Sequence, residues 1–257
     1  TNALTLNGTG ISSGGALINS DAAAATYAGL VSLGSATTII GETGTIALSN
    51  AGTITGDTFG LTLGGAQGGS ITSIIGTTTG GVTKNDAGTW TLLGANTYSG
   101  RTTINAGASA DSTLALKGSG SLTNSNVYLT GSATQKAILD ISQTTTGATV
   151  SALSSSGTAT NDYIYLGNKT LTIEQQTIGS FGGVIADGGI SSSTGGSVQF
   201  GSSNTIISGG ARFTLSGANT YTGSTIIYAV DTPIVLYISG SGTIASSSGL
   251  VMTGINR

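Results

Sequence analysis

The chain has 257 residues, of which only 7% are charged, and a net charge of −3 at pH 7. Globular proteins usually have about a quarter of their residues charged. Seven basic residues in a chain of this length argue against a nucleic-acid partner. Histidine and cysteine are absent, which removes the usual zinc and copper ligands, the commonest general base and every thiol nucleophile. We therefore expect no cofactor and no metal site.

Glycine, serine and threonine make up close to half of the chain, yet 37% of its residues are hydrophobic, enough for a sizeable core. The longest apolar run, residues 226–238, is interrupted by Asp231 and Pro233, so we expect no transmembrane segment. The chain begins at Thr1 without a signal segment and reaches Arg257 in strand-like sequence. From this we expect a piece of a longer protein.

Apolar residues alternate with threonine or serine along most of the chain, as in residues 3–6, 44–48, 169–173 and 212–215. This period of two predicts short strands with one buried face, and clusters of Gly, Asn, Asp and Ser predict turns between them. Helical periodicity is almost absent. The alternation predicts these inward-facing residues: Leu4, Leu6, Ile46, Leu48, Leu61, Leu63, Trp90, Leu92, Leu114, Leu116, Ile138, Ile141, Leu171, Ile173, Phe213 and Leu215.

Residues 90–104 and 213–227 form an internal repeat, identical at ten of fifteen aligned positions. A degraded third copy lies at residues 25–29, where Thr26, Tyr27 and Gly29 keep their relative places. We assign a structural role to the motif. Its residues are Trp90, Leu92, Gly94, Asn96, Thr97, Tyr98 and Gly100 in one copy and Phe213, Leu215, Gly217, Asn219, Thr220, Tyr221 and Gly223 in the other.

A parallel β-solenoid accounts for these features together, since stacked coils bury inward aliphatics and need Gly, Asn or Asp at their corners. A sandwich or barrel would fit the strand spacing but not the repeats. We predict an all-β fold with coils of roughly 20–25 residues, about ten to thirteen turns and irregular loop insertions. Residues 1–257 are expected to form one continuous solenoid, with repeat-like units at about 1–60, 61–170 and 171–257.

Residues 88–100 and 213–223, with their lead-in segments 81–88 and 181–189, resemble the autotransporter-associated β-strand repeat, also called the passenger-associated transport repeat. The resemblance implies a right-handed parallel β-helix that crosses the outer membrane of a Gram-negative bacterium through a β-barrel translocator. Such passengers are displayed as adhesins, stalks or carriers. Trp90 and Phe213 depart from the pattern, which commonly has a smaller aliphatic there, and the chain contains no translocator barrel.

The paired Asn-Thr-Tyr triplets have two interpretations. They would suit a sugar site, since tyrosine stacks on pyranose rings and asparagine bonds hydroxyl groups. They would equally form coil corners, where asparagine tolerates the left-handed backbone conformation and tyrosine covers the coil; we favour the corner.

A catalytic pair of carboxylates is a further candidate site. Residues one coil apart in sequence should stack on neighbouring coils, which would bring two such carboxylates together. Asp86 with Asp111 and Asp162 with Asp187 have the required spacing. A lyase would also cluster cations near these carboxylates, whereas the chain scatters its cations, which are Lys84, Arg101, Lys117, Lys136, Lys169 and Arg212. We therefore expect the charged residues, carboxylates and cations alike, to be solvated charges at coil corners.

Three further ligands are open. Calcium would need stacked carboxylates, but the calcium-binding nonapeptide repeat is absent. Ice binding would need Thr-x-Thr at every coil, whereas it occurs irregularly, at residues 53–55, 89–91 and 170–172. Tyrosines 163, 165, 228 and 237 could form a groove for a glycan or an apolar partner, with the first two on one strand face.

We expect a non-enzymatic, extracellular structural or adhesive protein at the outer surface of a bacterium: a rigid stalk or adhesin segment. Its partners would be itself, by end-to-end stacking into filaments, flanking coils of a longer chain, or host and matrix glycans. The alternative is a carbohydrate-active enzyme or glycan-binding module on the same scaffold.

Overall fold

The computed structural model describes residues 2–156, 161–202, 211–229 and 234–253. In these ranges the backbone forms short β-strands and one 3-10 helix, Ile11–Ser13. No helix there is long and apolar enough to cross a membrane. The strands of the first half are β1 (Leu4–Gly8), β2 (Leu17–Asn19), β3 (Ala25–Tyr27), β4 (Val31–Gly41), β5 (Ile46–Leu48), β6 (Thr53–Ile54), β7 (Leu61–Gly64), β8 (Gly68–Ile71), β9 (Ile74–Ile75), β10 (Val82–Lys84), β11 (Gly88–Leu92) and β12 (Thr102–Asn105). Those of the second half are β13 (Ser112–Gly118), β14 (Leu122–Thr130), β15 (Ala137–Thr144), β16 (Ala148–Ser155), β17 (Asp162–Tyr165), β18 (Thr170–Ile173), β19 (Ile178–Phe181), β20 (Val184–Ala186), β21 (Ser197–Phe200), β22 (Ala211–Leu215), β23 (Ser224–Tyr228), β24 (Ile234–Ile238) and β25 (Gly249–Thr253).

These strands form three parallel sheets that run along one axis. Sheet I has 15 strands, sheet II has 8, in the order β20-β17-β15-β13-β11-β8-β5-β3, and sheet III is the pair β6-β9. A parallel pair needs a long crossover, and here the crossover is the rest of each coil: Trp90 pairs with Leu114, and Leu114 with Leu139. The fold is a β-solenoid of about 10 turns, which confirms the predicted fold class.

Sheet I divides where two long strands each span two faces of the solenoid. Leu122 of β14 pairs with Val150 of β16, while Val127 pairs with Leu153 beyond a break in register. From β16 one branch continues through β18, β21, β23 and β25, and the other through β19, β22 and β24.

The core is a set of aliphatic and aromatic columns inside the coils. Leu92, Leu114 and Leu171 are fully buried, as the alternation predicts, and Trp90 donates its indole N–H to the carbonyl oxygen of Gly64 at 3.0 Å. Leu4 is only half-buried, since β1 pairs with β4 alone among the described strands.

The predicted inward position of Ile138 is wrong. Ile138 is buried, but its register partners Thr113 and Tyr163 lie on the outer face, and Leu139 takes the inward place between Leu114 and Ile164. The reason is the alternation itself: Ile138 and Ile141 are three residues apart, so a strand cannot turn both inward, and Leu139 shares the inward phase of Ile141. Ile138 is nevertheless buried because the segment of Ile190 covers the outer face of β15, where the N–H of Ile190 donates to Asp140 at 2.8 Å.

Candidate functional site: the repeat corners

The asparagine of each repeat copy ties its own coil to the coils on both sides. Asn96 is buried; its side-chain oxygen accepts a hydrogen bond from the N–H of Ile75 at 2.9 Å, and its amide donates to the carbonyl of Ser121 at 3.1 Å. These two partners belong to the preceding and the following coil. The side chain of Asn96 is thus turned into the protein, whereas its backbone does not adopt the left-handed conformation that the corner interpretation invoked.

Asn219 makes the same two bonds in the second copy. Its oxygen accepts from the N–H of Ile185 at 2.9 Å, and its amide donates to the carbonyl of Thr243 at 3.0 Å. The adjacent threonines bond through their backbone, the N–H of Thr97 to Ile75 and that of Thr220 to Ile185, while their side chains are exposed.

The tyrosines of the motif point inward and begin a relay of hydroxyl groups. The Tyr98 hydroxyl lies 2.7 Å from Oγ1 of Thr102, which lies 2.7 Å from Oγ of Ser125 in the next coil. The Ser125 hydroxyl then donates to the carbonyl of Gly100 at 2.7 Å, which closes the relay. Burial raises the pKa of Tyr98, which therefore stays neutral.

The second copy reproduces this relay. The Tyr221 hydroxyl lies 2.6 Å from Oγ1 of Thr225, Thr225 donates to Ser247 at 3.0 Å, and Ser247 donates to the carbonyl of Gly223 at 2.8 Å. Burial raises the pKa of Tyr221 as well. Sequence reasoning did not single out the threonine and serine, although both copies place a threonine four residues after the tyrosine.

The first glycine of each copy permits close contact between coils. A Cβ on Gly94 would collide with the carbonyl oxygen of Ser73, and one on Gly217 with that of Gly183. The large residues that begin the motif, Trp90 and Phe213, are fully buried. The motif thus comprises a strand with a large buried side chain, a glycine at which two coils approach closely, and a polar corner.

The two copies occupy different faces of the solenoid. In the first copy the strand of Trp90, β11, belongs to sheet II, and the corner leads into β12 of sheet I. In the second copy the strand of Phe213, β22, belongs to one branch of sheet I, its corner packs on Ile185 of sheet II, and β23 follows in the other branch. The motif is therefore a local strand-corner-strand unit that is not fixed to one face.

The third copy predicted at residues 25–29 is not equivalent. Tyr27, a half-buried residue, lies within strand β3 of sheet II and pairs with Leu48, and its hydroxyl group donates to the carbonyl of Asn2 at 2.6 Å in an exposed hydrogen bond. Val31 stands four residues after Tyr27, so the relay lacks its threonine.

Lys84 corrects the expectation that all the cations are solvated. It occupies an inward position of β10, between Leu63 and Ile104, and is fully buried. Its ammonium group donates to the carbonyls of residues 85, 86 and 87 at 2.7–3.0 Å and to Oγ of Ser112 at 3.0 Å. Burial lowers the pKa of Lys84 to about 8, against the opposing charge of Asp86.

We expect stability to depend on pH through Lys84. Its pKa is 10.5 when unperturbed and about 8 in the folded chain, so between these values the unfolded state binds more protons. The free energy of unfolding should therefore rise with pH across this window and be constant below it. Urea denaturation from pH 8 up to just below the tyrosine pKa of 10.0 should show this rise. Lys84→Met should lack it and the exposed-site control Lys117→Met should keep it; an unchanged profile in Lys84→Met would contradict the assignment.

The two candidate carboxylate pairs do not form a catalytic site. Asp86 accepts from the N–H of Gly65 in the preceding coil at 3.0 Å, whereas Asp111 accepts from the N–H of Lys136 in the following coil at 2.7 Å. The carboxylates are thus turned toward opposite ends of the solenoid.

The second pair is separated along the strands. Tyr165 pairs with Ala186, so Asp187 lies four strand positions from Asp162, about 13 Å at the rise of a β-strand. Asp187 accepts from Thr222 and Gly196, and Asp162 from the N–H of Gly131. Among the described residues the other carboxylate oxygen of Asp162 is buried without a hydrogen-bond partner, and burial raises the pKa of this group. Asp162 and Asp187 thus accept hydrogen bonds mainly from the backbone of loops.

The remaining candidates are dispersed. In the described ranges no three acidic side chains come together as a metal-binding group. The Thr-x-Thr segments 53–55, 89–91 and 170–172 begin in sheets III, II and I, so they do not form one array. Tyr163 and Tyr165 do share the outer face of β17, with ring centroids 5.8 Å apart, but Tyr228 and Tyr237 lie in sheet I.

Two segments of the chain are similar to the passenger-associated transport repeat. The family model of the passenger-associated-transport-repeat matches residues 82–108 and 204–229, the segments that contain the two corner units. No curated protein and no solved structure matches the chain. The repeat and the solenoid fit a passenger-type structural or adhesive role, and the family implies a secreted or surface-exposed protein of Gram-negative bacteria.

Proposed function

We propose that the chain is a rigid, non-catalytic segment of a secreted passenger, displayed outside a Gram-negative bacterium as a stalk or adhesin segment. The observation that carries this proposal is the duplicated corner. Each copy joins three consecutive coils by asparagine bonds and a buried hydroxyl relay. A solenoid whose neighbouring coils are coupled in this way resists local opening, as an extended extracellular rod must.

The chemistry of the carboxylates supports a non-enzymatic role. Asp86, Asp111 and Asp187 accept backbone hydrogen bonds within corners and loops, and neither predicted pair converges on a shared cleft.

Surface display tests this proposal. The full chain would be placed between a secretion signal and a β-barrel translocator in a Gram-negative host, and its accessibility to external protease would be measured on intact cells. We expect full-length, protease-resistant protein outside the outer membrane. Retention of the folded chain in the periplasm would contradict a passenger role.

We also propose that a further coil stacks on β25, supplied by a second copy of the chain. Among the described strands β25 pairs with β23 alone, and its side chains Leu250, Val251 and Met252 are 56%, 44% and 75% exposed. An unpaired edge with apolar side chains favours addition of another parallel strand. Electron microscopy of the purified chain should show coaxial fibres; single short rods at all concentrations would overturn self-stacking and favour a flanking coil of a longer chain.

A further inference from the structure

A break in sheet I opens a cleft on the outer surface between β16 and β19. The two strands share one registered pair, Ser154 with Ser180, whereas β16 pairs with β14 at five positions. Where the ladder is interrupted, the N–H of Leu153 donates to the side-chain oxygen of Gln175 at 3.3 Å. The cleft has a volume of about 380 Å³.

Arg101 reaches this cleft with its charge uncompensated. Its guanidinium carbon lies 4.2 Å from the ring centroid of Tyr128, and no carboxylate of the described residues forms an ion pair with it. Stacking fixes the plane of the guanidinium, while the N–H groups at its edge stay available to a ligand. The second repeat copy has Ser224 in the place of Arg101 and still forms its corner, so the corner does not require the arginine.

The rest of the lining suits a hydroxylated ring. Asn126 and Gln175 contribute amides, Ser154 and Ser180 contribute hydroxyl groups, and Ile178, 78% exposed, forms an apolar wall. Amides and hydroxyl groups both donate to and accept from sugar hydroxyls, and an aliphatic wall packs on the C–H face of a pyranose. A fixed guanidinium binds a planar carboxylate through two parallel N–H donors.

We propose that this cleft binds an acidic saccharide, with the carboxylate of one sugar ring on Arg101 and the ring against Ile178. One cation in a chain of net charge −3 matches one carboxylate per site and not a polyphosphate. The proposal goes beyond the structural role, which does not depend on it. Binding is measured on the purified chain and surface display on cells, so the two proposals can fail separately.

Calorimetric titration of the full chain with a galacturonate oligosaccharide tests the proposal, with the neutral galactose oligosaccharide of equal length in parallel. We expect the acidic saccharide to bind and the neutral one to bind at least about tenfold more weakly, because a charge-assisted pair is lost. Arg101→Gln should weaken binding of the acidic saccharide by at least about tenfold, with an unchanged melting temperature.

Lys136→Gln is the matched control, since Lys136 lies 4.3 Å over the ring of Tyr163 on sheet II, away from the cleft, and its loss should leave the affinity unchanged. Equal affinity for both saccharides, equal effects of the two substitutions, or no binding of galacturonate or glucuronate oligosaccharides would overturn the proposal. Acetylglycine serves as a carboxylate without a sugar ring, and its binding as tightly as the oligosaccharide would overturn the saccharide assignment.

Discussion

Leu92→Asp is expected to unfold the solenoid around sheet II and to lower the free energy of unfolding by more than about 4 kcal/mol. Leu92 is fully buried in β11, and its register partners Ile71 and Leu116 are also fully buried. A carboxylate at this position would lie among aliphatic side chains of three consecutive coils. Parallel stacking repeats the damage, since each coil relies on its neighbours to bury its apolar side chains.

Thr91→Asp is the matched control for this substitution. Thr91 is the preceding residue of β11, half-exposed on the outer face between Ser70 and Ala115. The same new charge should there cost less than about 1 kcal/mol, because it stays hydrated. Guanidinium denaturation of both variants would measure the difference. Equal losses would contradict the assignment of Leu92 to the inward face and Thr91 to the outer face of β11, and a larger loss for Thr91→Asp would mean that the two faces are reversed.

The fold class could be predicted because the strands and corners of a solenoid impose a regular pattern on its sequence. Every strand has one face in the core, so the alternation of Leu61-Thr62-Leu63 or Leu171-Thr172-Ile173 identifies both the strand and its buried side. The corners require residues with special backbone freedom, and these separate the strands at nearly regular intervals.

Two features escaped prediction because they depend on neighbouring coils. Ile138 and Asp140 lie on the outer face of β15 but are buried there by the segment of Ile190, whose N–H donates to Asp140, so apolar residues occupy both faces of this strand. The burial of Lys84 depends on three carbonyls of the turn that follows it and on Ser112, one coil away. A charged residue at an inward register position therefore indicates that polar groups of neighbouring turns surround its charge.

The corner itself was predictable from the paired Asn-Thr-Tyr triplets, but its role between coils was not. Ser125 and Ser247 complete the relays from the following coil, and their distances from Tyr98 and Tyr221 in sequence differ by one residue. An alignment of the two copies at constant spacing misses this pair. The sequence also does not predict that the two copies lie on different faces of the solenoid. A repeat specifies local geometry, and the lengths of the intervening loops decide the face on which it falls.

Asn96→Ala is expected to lower the free energy of unfolding by about 2–4 kcal/mol. The substitution leaves the buried N–H of Ile75 without its acceptor and the carbonyl of Ser121 without its donor. Tyr98→Phe should cost only about 1 kcal/mol, since Thr102 and Ser125 remain bonded to each other. Asn219→Ala should match Asn96→Ala, because Asn219 makes the equivalent bonds to Ile185 and Thr243.

Asn50→Ala separates the burial of the asparagine's hydrogen bonds from the formation of a corner. Asn50 also accepts from a backbone N–H, that of Gly52 at 2.7 Å, and donates to a carbonyl, that of Ala28 at 3.0 Å, but at a solvent-exposed corner where water can replace both bonds. Its loss should cost less than about 1 kcal/mol by urea denaturation. If Asn50→Ala and Asn96→Ala were equally destabilising, burial of the hydrogen bonds of Asn96 would add nothing to what an exposed corner asparagine contributes. A larger loss for Asn96→Ala would mean that the transport repeat stabilises the rod by satisfying buried backbone groups of the coils on either side of it.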